Sequence, residues 1–198
     1  MIRIRLKNRS YGFIYAEALT EGSFTETKIP VDIDGVATTT EFSELAENHC
    51  ACVCTMNTAL LLKSCKTGDF EGLDIDWDRV KLFTDIHDIV GNGPVIWYKP
   101  KFNRFFKSKG SNIRAVPIKK LEAFEESIKA NVPVPMLVNA GITKWHWVLV
   151  VGIRKYSDES IYLNILDGWT KRRDRYIRYE GRKTFIRALK PILKQSRK

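Results

Sequence analysis

The sequence predicts an α+β protein in which a helix-rich N-terminal half, built on one central cysteine-bearing helix, packs against an antiparallel β-sheet from the C-terminal half. Three observations carry this expectation. Behind Cys50 runs an apolar stretch, residues 49 to 63, long enough for a central helix. Helix-period patterns recur at 77–90 and 99–109. Residues 145–153 and 160–169, rich in Trp, Val, Ile, Leu and Tyr, read as two strands around a tight turn at Lys155-Tyr156-Ser157-Asp158. At 198 residues the chain is sized for one well-buried core, so a single domain over 1–198 is expected.

Taken in order, the first 40 residues read as short strands, Ile2 to Leu6, Tyr11 to Ala18 and Lys28 to Ile33, broken by Gly22 and Asp34-Gly35. In the central helix Asn48 is the candidate N-cap, and Val53, Met56, Leu60, Leu61 and Leu62 form its buried body. The next two helices present Val80, Leu82, Phe83, Ile86 and Ile89, then Phe102, Phe105 and Phe106, with breaks at Gly91-Asn92-Gly93-Pro94 and Gly110. Ile113 to Ile118 reads as a strand. Lys120 to Ala130 is an amphipathic helix with Leu121, Phe124 and Ile128 on one face, and Val134 to Val138 is a strand after Pro133. Beyond the hairpin, Tyr176 to Tyr179 suggests a last strand and Thr184 to Leu193 a terminal helix, bent or ended near Pro191.

Composition narrows the class. Apolar residues at 44% and charged residues at 28% are ordinary for a globular protein. The net charge of +10 is a C-terminal feature: residues 171–198 hold twelve Lys and Arg against Asp174 and Glu180, while residues 1–170 balance at 21 basic and 21 acidic. Such a segment could attract a polyanion, although a solvated surface is the simpler reading. Four cysteines, three within five positions, do not form the spaced framework of a disulfide-rich secreted protein. Phe13-Ile14-Tyr15-Ala16 is too short for a signal peptide and no run reaches membrane-span length, so a reducing, cytoplasmic setting is expected.

The chemistry sits in three places. A hairpin centred between Tyr156 and Ser157 pairs Val148 with Ile165 and Val150 with Leu163, and sets His146 opposite Asp167, with directly opposed Cβ atoms about 5 Å apart. A carboxylate there fixes the imidazole tautomer and stabilises the imidazolium. Cys50, at a helix N-terminus, has its thiolate favoured by the helix dipole and free N–H groups. Cys50, His146 and Asp167 thus suggest nucleophile, general acid/base and orienting group. Cys52, Cys54 and Cys65 read as small core residues. A zinc site at His49, Cys50, Cys52 and Cys54 lacks the second ligand pair that structural zinc favours, so no metal or other cofactor is expected. His49 reads as solvent-facing and His87 as a surface helix residue.

Asn48-His49-Cys50-Ala51 leading into Thr55-Met56-Asn57, then His146-Trp147-Val148 and Asn164-Ile165-Leu166-Asp167-Gly168-Trp169, resemble the papain-like cysteine peptidases related to bacteriocin leader (double-glycine) peptidases. The resemblance spans residues 44 to 170. It implies a papain-like fold, a peptide or protein substrate, and a Cys50–His146–Asp167 triad working through a thioester. The family's usual glutamine about six residues before the cysteine is Glu44 here. An ionised carboxylate would repel the oxyanion, so either another donor, such as Asn48 or the Cys50 N–H, replaces it or activity is weak. Trp145 and Trp147 are candidate walls of the substrate cleft. The competing reading keeps the fold but binds nucleic acid or another polyanion through residues 171–198, with Trp169, Tyr176 and Tyr179 interleaved among Arg172, Arg173, Arg175 and Arg178.

Overall fold

The computed structural model of the chain describes residues 11–19, 21–32, 35–64, 73, 75–76, 78–93, 95–140 and 144–194. The expected strand Ile2 to Leu6 and the expected core residue Cys65 lie outside these. The elements are β1 (Phe13–Tyr15), β2 (Phe24–Lys28), α1 (Cys50–Ser64), α2 (Arg79–Val90), α3 (Tyr98–Ser108), β3 (Ile113–Ile118), α4 (Leu121–Lys129), β4 (Val134–Asn139), β5 (Trp145–Tyr156), β6 (Ile161–Leu166), β7 (Arg175–Arg178) and β8 (Arg187–Leu193). All of these strands join one antiparallel sheet in the order β1-β7-β6-β5-β4-β8-β3, with β2 on the far half of β5.

Helix α1 lies against β5 and α2, and every residue from Ala51 to Leu62 is buried. A helix that is apolar on all sides is stable only when enclosed. Its polar side chains are therefore internally bonded. Thr55 and Thr58 donate back to the carbonyls of Ala51 (2.8 Å) and Cys54 (2.7 Å). Asn57 accepts from the Ala37 N–H (2.7 Å) and donates to the Ala37 carbonyl (3.0 Å), fastening the 36–39 loop to the helix. Asn48 is not the cap. It lies in the left-handed region at φ 52°, and the first helical bond is accepted by the His49 carbonyl, from the Val53 N–H at 3.1 Å.

Three sequence expectations change. The segment expected as a terminal helix is strand β8, which fills the gap between β3 and β4. Pro191 could not sit inside a helix, but β4 pairs only with Arg187 and Ala188, so Pro191 has a strand neighbour on the β3 side alone. The strand expected at Lys28 to Ile33 instead occupies Phe24–Lys28, and Ile29 leaves it to bond the Val151 carbonyl (2.8 Å). The β5–β6 hairpin is also slid: Val150 pairs with Ile165 and Leu149 with Leu166, two residues from the expected register. A turn with Tyr156 N–H bonded to the Ser160 carbonyl (2.9 Å) and Glu159 at φ 67° replaces the two-residue turn, and a bulge falls between Val150 and Gly152.

The net slip of two at the Val150 end keeps the faces unchanged, so His146 still shares a face with Val148 and Val150. Gly152 completes the bulge because β2 and β6 crowd it from both sides. A Cβ there would stand 3.1 Å from Asn164 Cβ and 3.2 Å from the Thr27 carbonyl oxygen. Gly152→Ala should cost about 1–3 kcal/mol, read as a lower urea midpoint at unchanged slope; wild-type stability would show that this crossing has slack.

Candidate active site

A cavity of ≈ 300 Å³ opens at the N-terminus of α1, lined by Tyr11, Thr39, Asn48, His49, Cys50, Trp145, His146 and Trp169. The fold therefore brings together four of the sequence-nominated residues: Cys50 from α1, Asn48 from the loop before it, and Trp145 and His146 from β5. Glu44 is exposed and does not line the cavity, so its carboxylate is not placed at an oxyanion position. Trp147 is not a cleft wall either. Strand alternation turns it into the core, 1% exposed, with its ring 4.0 Å from that of Tyr98.

His146 is held by Asp167, but through the main chain. Its Nε2 lies 2.6 Å from the Asp167 carbonyl oxygen. A carbonyl only accepts, so Nε2 carries the proton and Nδ1 is left with its lone pair. The carboxylate faces elsewhere: Oδ1 accepts from the N–H groups of Trp169 (2.8 Å) and Thr170 (3.0 Å), and Oδ2 is paired with the Arg175 guanidinium. Three donors, one of them charged, satisfy the carboxylate better than one imidazole N–H would. The expected carboxylate–imidazole contact is thus replaced by a carbonyl held in place by the carboxylate's own turn. Gly168, at φ 73°, makes that turn possible. Trp169 then stacks on the imidazole, 4.1 Å between centroids and 20° between planes.

The 36–39 loop braces the other side. Thr39 donates its N–H to the Gly168 carbonyl (2.7 Å), and its own carbonyl lies 2.9 Å from His49 Nε2. His49 is buried, not solvent-facing, with its ring edge-on to Phe83. Sequence reading missed Thr39 and Tyr11 altogether, because neither belongs to a motif near the cysteine or the histidine.

Burial sets the resting protonation. The Cys50 thiol is pushed up by desolvation, which outweighs the N–H groups of Trp147, Ala51 and Cys50 itself that favour a thiolate. His146 is pushed down to about 4 by desolvation, against the Asp167 carbonyl and charge. The resting pair is therefore thiol and neutral imidazole: the N–H groups at the helix terminus favour the thiolate as expected, but burial disfavours it more. Cys52 is held further up, at about 12, and Cys54 higher still, their sulfurs directed at the carbonyls of Gly91 and Val148. Iodoacetamide should accordingly label Cys50 before Cys52 and Cys54, with a rate that climbs only in the alkaline range; a plateau below pH 7, followed by peptide mass mapping, would contradict this.

Part of the basic C-terminal charge is engaged internally. Arg172 pairs with Asp174 and Glu17, Arg173 reaches the Val31 carbonyl, and Lys190 pairs with Glu126. Tyr176 is 1% exposed, so it offers no free face for stacking a base, and Tyr179 is partly buried with its ring edge-on to that of Phe124. Among the described residues, no helix is long and apolar enough to cross a membrane.

No protein-family model matches the sequence, and no curated protein matches it significantly. The fold does match a solved structure: a C39-like peptidase candidate from Bacillus anthracis aligns over 87% of this chain and 100% of its own, with a TM-score of 0.54 and 16% sequence identity. The mixed helix and antiparallel sheet assembled around the Cys50 helix shares its overall fold with that structure.

Proposed function

We propose that this chain is a papain-like cysteine hydrolase acting on peptide bonds through a Cys50 thioester. The observation that carries the reading is the 2.6 Å contact of His146 Nε2 with the Asp167 carbonyl, which leaves the imidazole lone pair on Nδ1, in a residue that lines one cavity with Cys50. Because the resting pair is neutral, proton transfer accompanies attack. His146 Nδ1 takes the Cys50 proton as sulfur bonds the substrate carbonyl carbon and the carbonyl π pair moves onto oxygen. The N–H of Cys50, in the first turn of α1 and without a helical acceptor, and the Asn48 amide are donors for that oxyanion. The imidazolium keeps its Nε2 bond to the Asp167 carbonyl and returns its proton to the departing amine as the C–N bond breaks. Water, deprotonated by the same imidazole, then releases the acid.

The test is intact-mass analysis after mixing the protein with p-nitrophenyl acetate, with adduct mapping. A burst of nitrophenolate equal to the enzyme and an acetyl group on Cys50, both absent in Cys50→Ala, is the expected result. Turnover that survives Cys50→Ala would refute the proposal.

A further inference from the structure

Glu44 does not line the cavity, so a side-chain donor for an oxyanion formed there has to come from the residues that do, and Tyr11 is one of them. Tyr11 stands two residues before the start of β1, which pairs with β7 through Phe13 and Ile177. Its ring is fixed by three aromatic neighbours: stacked on Phe13 at 5.5 Å, and tilted against His146 at 5.5 Å and Trp169 at 5.6 Å. A ring held this way fixes its hydroxyl, and that hydroxyl makes no hydrogen bond with any described residue although Tyr11 is half-buried in the cavity wall. The phenol is raised chiefly by burial, so it stays protonated, as a donor must.

Resting on the hydrolase reading above, we infer that Tyr11 is a further catalytic residue, whose hydroxyl donates a hydrogen bond to the oxyanion formed when Cys50 attacks an acyl carbonyl. The Cys50 N–H at the helix terminus and the Tyr11 hydroxyl, both from residues lining one cavity, share that oxygen. No proton is transferred from the phenol: the thiol proton goes to His146, the carbon–sulfur bond forms, and the phenolic hydrogen bond shortens as negative charge accumulates on oxygen. Such a donor acts on the transition state and not on the resting thiol.

That distinction defines the experiment. Acetylation by p-nitrophenyl acetate passes through an oxyanion, whereas alkylation by iodoacetamide displaces iodide at a saturated carbon and forms none. Both rate constants are measured at Cys50 for wild type and for Tyr11→Phe, which keeps the ring and its stacking. The expected result is roughly a 10- to 100-fold slower acetylation with alkylation changed less than about twofold. N-acetylglycinal, which forms a tetrahedral adduct with the thiol, should lose affinity by a similar factor. Equal slowing of both reactions would show that Tyr11 acts on the thiol itself and would overturn the inference, as would unchanged acetylation. Absence of any Cys50 acetylation in wild type would instead overturn the hydrolase reading, so the two failures are separable.

Discussion

His146→Ala should slow acylation of Cys50 by about 10²–10⁴-fold, whereas Asp167→Asn should slow it by less than about tenfold. The asymmetry follows from which Asp167 atom touches the ring. Where a carboxylate selects the imidazole tautomer, its replacement by an amide costs roughly 10⁴-fold, because the amide can present a donor and reverse the tautomer. Here the acceptor is a backbone carbonyl, which asparagine also has. The amide oxygen can still receive the Trp169 and Thr170 N–H groups, so the turn that aims the carbonyl survives. What Asp167→Asn does lose is the charge facing Arg175 in a site where Asp167 is 1% exposed. Its main effect should therefore be on stability, a loss of about 1–3 kcal/mol in urea. Burst kinetics and denaturation on the same samples check both halves. A 10⁴-fold loss in a fully folded Asp167→Asn would mean that the carboxylate turns to the ring during catalysis.

The contrast between what the sequence reveals and what it hides has a physical pattern. Helix α1 was legible because fifteen consecutive helix-compatible residues, apolar on every side, have no other way to be buried. His146 was legible because strand alternation puts it on a defined face, and an even slip in register preserves that face. Asp167 was legible as a neighbour of the histidine but not as to which atom would serve, since that is decided by Arg175 and by a left-handed Gly168. Strand β8 was hidden because Arg187 to Leu193 carries helix-forming residues, and only the vacant edges of β3 and β4 make it extended. Tyr11 and Thr39 left no local trace, because what brings them to the cavity is pairing with distant residues: Tyr11 packs on His146 and Trp169, and Thr39 bonds the Gly168 carbonyl.

Acid should weaken the fold through His146. In the folded protein this imidazole is pushed down to about 4, against an ordinary 6.5, chiefly because burial penalises its charged form. Between those two values the unfolded chain binds a proton that the folded chain refuses, so stability rises with pH across that window and is lost as pH falls through it. The gap amounts to about 3 kcal/mol, fully present above pH 6.5 and gone below pH 4. Carboxylates add their own acid dependence, so the measurement is a difference: urea midpoints from pH 7 to pH 4.5 for wild type and His146→Ala. The alanine removes packing at every pH but removes the refused proton only in acid, so the stability gap between the two proteins should narrow steadily below pH 6.5. A gap independent of pH would show that His146 is solvated enough to titrate normally. The same burial has a kinetic counterpart, because the base in the free enzyme then stays unprotonated far below the usual imidazole range. The acid limb of the acylation rate should fall well under pH 6, set by the same desolvation that makes His146 a cost to the fold in acid.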